Sequence, residues 1–319
     1  MEPALPPFHP KLPELLAHLK LRPLDAIKWN LLACAPTGAD KGEATVVLKF
    51  GSEPRKTKSI EYEIRILRDV LPTLDRDEFE RLVLPEYIDD GMFEEVRWMT
   101  SRYISGQPLV YGWSESAHKP EAWGGRGIDV ATAGMAVDVL RDLRSVDIHT
   151  LPEFVRRFDF ARWGPEFSMK AETMIAKGYL ERSTVSTAMK LLSSAAARSY
   201  EGSMFTNGDF YPRNFILAAD GRIAVVDWVG GIDPWEFVAM YAWMLMWGNP
   251  QWQIAYLRSI VEHFPVDVRQ MRIGLLVRSF EQAFFWRDAD EEHLGPARNQ
   301  MLAYFHEALD EEYVRDLFA

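Results

Sequence analysis

The sequence predicts an α+β protein with a small mixed lobe followed by a larger, mostly helical one. Three observations carry that expectation. The first hundred of its 319 residues alternate strand-like runs with one helical stretch. After "SGQPL" at 105–109 the composition changes, and helical patterns follow one another almost to the end. The helical series is interrupted once, at 205–228, by "FTNGDFYPRNFILAADGRIAVVDW", which holds two short apolar runs, a polar knot and a turn. The expected division is 1–103 and 104–319, with a short hinge near 100–108.

In order, "IKWNLLACA" (27–35) and "ATVVLKF" (44–50) read as strands joined by the turn-rich "PTGADKGE". "SIEYEIRILRDVL" (59–71) places Ile60, Ile64, Leu67 and Leu71 at helical spacing. "LVLPEYID" and "VRWMTSRYI" supply two more strands. Seven stretches then read as helices, from "AGMAVDVLRDLRSVD" to "PARNQMLAYFHEALDEEYVRDLF". No repeat or low-complexity segment breaks the series.

Composition removes several function classes. Cys34 is the one cysteine, which excludes an internal disulfide and any cysteine-based zinc site. The seven histidines are scattered without metal-ligand spacing. A net charge of −11 argues against a nucleic-acid partner, which would need a basic face. The longest apolar run, "FVAMYAWMLMW" at 237–247, is too short to span a bilayer, so no membrane role is expected. The N-terminal segment lacks the basic-then-apolar order of a signal peptide, and the expected location is the cytoplasm.

The chemistry concentrates at 205–228. Asp209, Asn214 and Asp227 stand at the ends of apolar segments, where a carboxylate is costly to bury unless a cation sits nearby. A loop carries the chain from Asp209 to Asn214, and a hairpin then returns "IAVVD" alongside. Hard oxygen donors such as Asn214 and Asp227 suit Mg²⁺, which takes one or two protein ligands besides phosphate oxygens and water. Asp209, left outside a metal shell, can accept a proton from a substrate hydroxyl. Either turn alone reads as a plain turn; the series D-x₄-N-x₁₂-D in this strand–loop–hairpin context does not.

The series resembles the aminoglycoside phosphotransferase and choline kinase group, small-molecule relatives of protein kinases. Their catalytic loop, H-G-D-x-x-P-x-N, precedes an apolar strand ending in D-[FW]; the matches here are Gly208, Asp209, Pro212, Asn214, Asp227 and Trp228. The resemblance implies a protein-kinase-like bilobal fold, with 1–103 binding nucleotide and 104–319 carrying catalysis and acceptor. It implies Asp209 as catalytic base, and Asn214 and Asp227 as holders of Mg²⁺ under the phosphates of ATP or GTP. It further implies a strand lysine paired with a helix glutamate: Lys49 and Glu63, with Glu61 the competing choice on another helix face. "WMTSRYISGQPL" is similar to the family's hinge, so backbone groups near Ser101 to Tyr103 are expected at the adenine edge.

Departures are few. Asn207 replaces the usual histidine, Ile232 is inserted, and Glu236 stands where an aspartate is usual. "LKLRPLDAIKWNLLA", where the phosphate-covering loop should lie, has no glycine, so backbone amides cannot approach phosphates as closely. Tyr211 stands where a protein kinase has lysine, which disfavours a protein substrate. The expected acceptor is a small hydroxylated molecule, an aminoglycoside or other amino-sugar. A choline-like amino-alcohol comes second, and a nucleotide-binding pseudokinase is the rival from another class. Trp228, Trp235, Trp243, Trp247, Trp252, Phe284, Phe285 and Trp286 read as helix packing in preference to a cationic cage. The acidic runs 287–294 and 309–316 read as solvated faces in preference to a polyamine site.

Overall fold

The computed structural model describes residues 9–28, 30–39, 43–109, 124–194, 202–289, 292 and 294–319. Parts of several sequence readings lie outside them: 1–8 of the N-terminal segment, Trp29 of the first strand and of the glycine-free stretch, 40–42 of the following turn, 195–200 of one helical stretch, and 290, 291 and 293 of an acidic run. The chain divides into two compact units, Met1–Ser114 with Asn214–Val229, and Glu115–Arg213 with Gly230–Ala319.

The described elements begin with α1 (Leu12–Leu19), β1 (Leu21–Lys28), β2 (Leu31–Pro36), β3 (Val46–Gly51), α2 (Pro54–Arg65), β4 (Leu82–Val83), β5 (Tyr87–Phe93), β6 (Val96–Arg102) and β7 (Gly106–Pro108). They continue with α3 (Thr132–Ser145), β8 (Arg156–Arg157), α4 (Phe160–Ala176), α5 (Arg182–Leu192), β9 (Met204–Phe205), β10 (Phe215–Ala218), β11 (Ile223–Val225) and β12 (Gly231–Asp233). Five helices follow: α6 (Trp235–Leu245), α7 (Pro250–His263), α8 (Val268–Phe285), α9 (Gly295–Glu307) and α10 (Glu311–Leu317). None of the described helices is long and apolar enough to cross a membrane.

In the first unit an antiparallel sheet runs β1-β2-β3-β6-β5. Alternation along β3 sends Leu48 and Phe50 into a core with Leu12, Leu15 and Leu16 of α1, and with Leu32, Cys34, Val96 and Trp98. Lys49 and Gly51 therefore share the other face. There α2 packs closely enough that a Cβ on Gly51 would lie 3.2 Å from the Lys56 Cβ and 3.5 Å from Ile60. The helix expected over 59–71 starts earlier, with Pro54 in its first turn, and continues as a π-turn over Ile66–Val70. The strand expected at 27–35 is split: Lys28 pairs with Leu31, so the backbone reverses between them and makes a hairpin.

A second sheet of the first unit, ordered β4-β11-β10-β7, explains why the unit gathers two distant pieces of chain. β10 pairs with β7 through Ile216–Pro108 and Leu217–Gln107, and β11 pairs with β4. The hairpin at 214–229 and the segment 104–109 thus belong with the first unit, where the sequence reading drew a single boundary at 103/104.

The second unit is helical around a three-stranded sheet, β8-β12-β9. α3 packs on α7, where the Trp252 indole donates to the Thr132 hydroxyl at 2.9 Å. α6 and α9 pack on α8, and a Cβ at Gly274 would sit 2.9 Å from the Glu236 carbonyl, so α6 and α8 meet closely. The last sequence-predicted helix, over 296–318, is two helices. Asp310 starts the second by accepting the Glu312 and Tyr313 amides.

Candidate active site

In the first unit the site is built on one ammonium. Lys49 on β3 forms an ion pair with Glu63 of α2 and a second with Asp227 Oδ1 at 2.6 Å. Glu63 lies three residues after Ile60 and next to Ile64 on the buried face of α2, which is why its carboxylate points inward; Glu61 is exposed. The Glu63 side chain is 5% exposed and that of Lys49 15%, so both charges are largely withdrawn from water. Burial alone would lower the lysine pKa; the carboxylates of Glu63 and Asp227 outweigh it and hold the ammonium above its ordinary range.

Asp227 follows β11 with φ +64, a left-handed conformation that aspartate tolerates better than most residues. Around it the Val229 amide donates to the Asp227 carbonyl at 3.0 Å, and the Trp228 indole donates to the Val225 carbonyl at 2.7 Å. Buried Trp228 thereby pins the strand end. Asn214 is buried in the same unit, and its carbonyl accepts the Val226 amide at 3.0 Å. Both metal candidates are therefore fixed by backbone of a single hairpin. No cluster of three or more His, Cys, Asp or Glu residues occurs among the described residues. Asn214 and Asp227 offer hard oxygen donors, the residue types that could hold Mg²⁺ beside phosphate oxygens and water.

In the second unit Asp209 lies in the loop that leaves β9. That loop is held from both sides. The Asn207 amide donates to the Asp209 carbonyl at 3.3 Å and accepts the Asp209 N–H at 3.4 Å. An amide can do both, so the substitution for histidine keeps a loop support. Gly208 has φ +79, and Gly230 packs so tightly that a Cβ there would fall 2.1 Å from the Gly208 nitrogen. Phe210, 1% exposed, anchors the following residue.

The Asp209 carboxylate accepts a hydrogen bond from the Tyr241 hydroxyl at 2.6 Å on Oδ1. Burial first, then the charge of Asp209, drives the phenol well above its usual value, so it stays a donor. The same hydroxyl lies 3.4 Å from Gln282 Oε1 of α8. The Arg278 guanidinium sits 5.6 Å from the Tyr241 ring centre and is itself paired with Asp233 and Glu281 at 3.0 Å each. Sequence reading missed Tyr241, Gln282 and Arg278. Tyr241 lies in the apolar run 237–247, where it looks like one more packing residue.

At the expected adenine edge, Ser101 is buried in β6 and the Tyr103 amide donates to the Thr45 carbonyl at 2.9 Å. The Arg102 amide is likewise spent, on the Glu86 carbonyl at 2.8 Å. The glycine-free stretch runs from Leu19, the last residue of α1, into the β1–β2 pair, whose register shifts between Pro23 and Asp25 and between Ala26 and Lys28. Trp228, Trp235, Trp243, Trp252 and Trp286 are buried, so these rings are packing residues; Phe285 is 63% exposed.

No family model matches the sequence, and no curated protein is similar to it. Solved structures are similar in fold. The GDP complex of wild-type aminoglycoside 2'-phosphotransferase-IIIa has TM-score 0.63 at 12% identity, over 93% of this chain and 99% of that one. A thermostable mutant of aminoglycoside phosphotransferase APH(4)-Ia, in its apo form, gives 0.59 at 16%, over 95% and 97%. The macrolide 2'-phosphotransferase from Brachybacterium faecium gives 0.54 at 14%, over 91% and 96%. At these identities the shared property is the fold, and it is the kinase-like α+β fold that the resemblance implied.

Proposed function

We propose that this chain is a phosphotransferase that moves the γ-phosphate of ATP or GTP to a hydroxyl of a small molecule, with an aminoglycoside or other amino-sugar the leading acceptor. The observation that carries the reading is the Lys49–Glu63–Asp227 network, a buried ammonium aligned by one carboxylate and shared with another. A phosphate-binding lysine needs such a neighbour to keep its charge and direction when buried. The fold neighbours add support: one is a GDP complex, and another is a ternary complex of APH(4)-Ia with ADP and hygromycin B.

In this mechanism Lys49 offsets charge on the donor phosphates while Glu63 holds its direction. Asn214 and Asp227 are the residues that would hold Mg²⁺, which would supply positive charge to offset that of the donor phosphates. Asp209 orients the acceptor hydroxyl and takes its proton as the oxygen attacks phosphorus. The adenine or guanine edge is assigned to the 101–104 segment, beside the Arg102 and Tyr103 amides that bond to the Glu86 and Thr45 carbonyls. A cytoplasmic location fits the use of either nucleotide.

Melting temperature with ATP and GTP, each with and without Mg²⁺, tests the donor site. Saturation at a hundred times the dissociation constant adds about 2.7 kcal/mol. The expected result is a Mg²⁺-dependent rise that Asp227→Ala abolishes. No rise with either nucleotide at millimolar concentration overturns the reading.

A further inference from the structure

We propose that Tyr241 is the positioning residue for Asp209, and that its hydroxyl sets the plane in which the carboxylate meets the acceptor. The inference rests on the phosphotransfer reading for its kinetic consequence and on geometry for its substance. The 2.6 Å bond from the phenol to Asp209 Oδ1 spans 32 residues of sequence, so it joins the loop after β9 to the middle of α6. A carboxylate on a loop can rotate about two side-chain torsions; one short bond from a rigid helix removes that freedom.

The tyrosine is itself held on three sides. The Tyr211 ring meets its edge at 6.2 Å and 82°, the Arg278 guanidinium lies 5.6 Å from its ring centre, and Gln282 reaches its hydroxyl. Arg278 is kept there by Asp233 and Glu281, and Glu281 also accepts the Trp163 indole at 2.7 Å. The hydroxyl has one proton. Asp209 Oδ1 at 2.6 Å takes that proton in preference to Gln282 Oε1, a more distant competing acceptor at 3.4 Å. Among the described residues, the titratable and charged groups near this carboxylate in the second unit include Tyr211 on its own loop, Tyr241 on α6, Arg278 and Glu281 on α8, and Asp233 at the end of β12.

A donor bonded to the carboxylate favours its ionised form, so removing the hydroxyl moves its titration to higher pH. Packing alone has no such signature.

The test is Tyr241→Phe, which keeps the ring. Carboxyl ¹³C NMR of wild type and variant, with the Asp209 signal assigned by its loss in Asp209→Asn, is read first. It should show the Asp209 carboxyl titrating at higher pH in Tyr241→Phe; an unchanged titration overturns the proposal whether or not the protein is a kinase. Turnover is read next, with MgATP or MgGTP and hygromycin B or other amino-sugars as acceptors. We expect kcat to fall about 10–100-fold, the loss of one charge-assisted hydrogen bond, with the donor KM within about twofold. The acid limb of kcat should move to higher pH. In an Asp209→Asn background the Tyr241→Phe change should cost nothing further, because the hydroxyl acts only through Asp209. A full additional loss there refutes positioning. If Tyr241→Phe does not fold, Gln282→Met, which leaves the phenol in place and removes its competing acceptor, should move the Asp209 titration slightly to lower pH; no movement, or movement to higher pH, counts against the proposal. Wild type inactive with every acceptor sinks the kinase reading alone, since the carboxyl titration still decides the role of Tyr241.

Discussion

In the first unit Glu63 and Asp227 share the Lys49 ammonium, whereas in the second Asp209 accepts a hydrogen bond from an uncharged tyrosine and Arg278 pairs with Asp233 and Glu281. The same residue type, aspartate, is thus served by a cation in one place and a neutral donor in the other. The difference follows from what each group must do in the proposed reaction. Phosphates bring negative charge, so a cation and its aligning carboxylates belong beside them. A base must keep its affinity for a proton, and a cation in direct contact would reduce that affinity more than a phenol does.

Breaking the charged half should have the largest effect on stability. Lys49→Ala leaves the Glu63 side chain, 5% exposed, without its ammonium, and should cost about 3–5 kcal/mol in urea unfolding. A loss under 1 kcal/mol would mean the network is not a structural pair. Next, Gly230→Ala pushes a methyl against the Gly208 backbone nitrogen, 2.1 Å from the ideal Cβ position. Overpacking of this kind costs about 1–3 kcal/mol, and the shifted 207–209 backbone should lower turnover while the nucleotide-induced rise in melting temperature is retained.

Tyr241→Phe should cost about 1–2 kcal/mol, less than Lys49→Ala, because one short hydrogen bond and a long contact to Gln282 are lost and no buried charge is left behind. Equal costs for the two variants would erase the contrast between the halves.

The smallest effect is in alkali. Tyr241 is raised well above its usual value near 10, and Tyr304 is pushed up to about 12, burial being the main cause for both. Groups raised in the folded state contribute stability that is complete below their unfolded values. That stability declines as pH climbs from about 10 through the folded values. Melting temperature should be nearly flat from neutral pH to about pH 9 as far as these two groups are concerned, and should fall above about pH 10, with the fall smaller in Tyr241→Phe.

Much of the donor half was legible through the family resemblance that pointed to Lys49 and Glu63, and local periodicity gives the physical reason the two meet. A lysine alternating with Leu48 and Phe50, and a glutamate on the stripe of Ile60 and Ile64, already point to one face each. Asn207 and Asp209 were visible as a loop motif. Tyr241 was not, because nothing in an apolar helix marks which ring faces a carboxylate 32 residues away. The assignment of 214–229 to the first unit was equally hidden, since it depends on β10 pairing with β7, a register across more than a hundred residues. The split of the last helix could have been read from Asp310, whose cap position precedes "EEY". By contrast, the reversal between Lys28 and Leu31 has no glycine or proline to announce it.

The most direct test is phosphoryl transfer itself. Wild type and Asp209→Asn are each incubated with γ-labelled ATP or GTP, Mg²⁺ and a set of amino-sugars, and label on the acceptor is measured beside the nucleotide-induced melting shift. The account predicts transfer by wild type and a loss of about 10²–10⁴-fold in Asp209→Asn, with the melting shift intact. Transfer that survives the substitution, or a nucleotide shift without transfer to any hydroxyl, would contradict it.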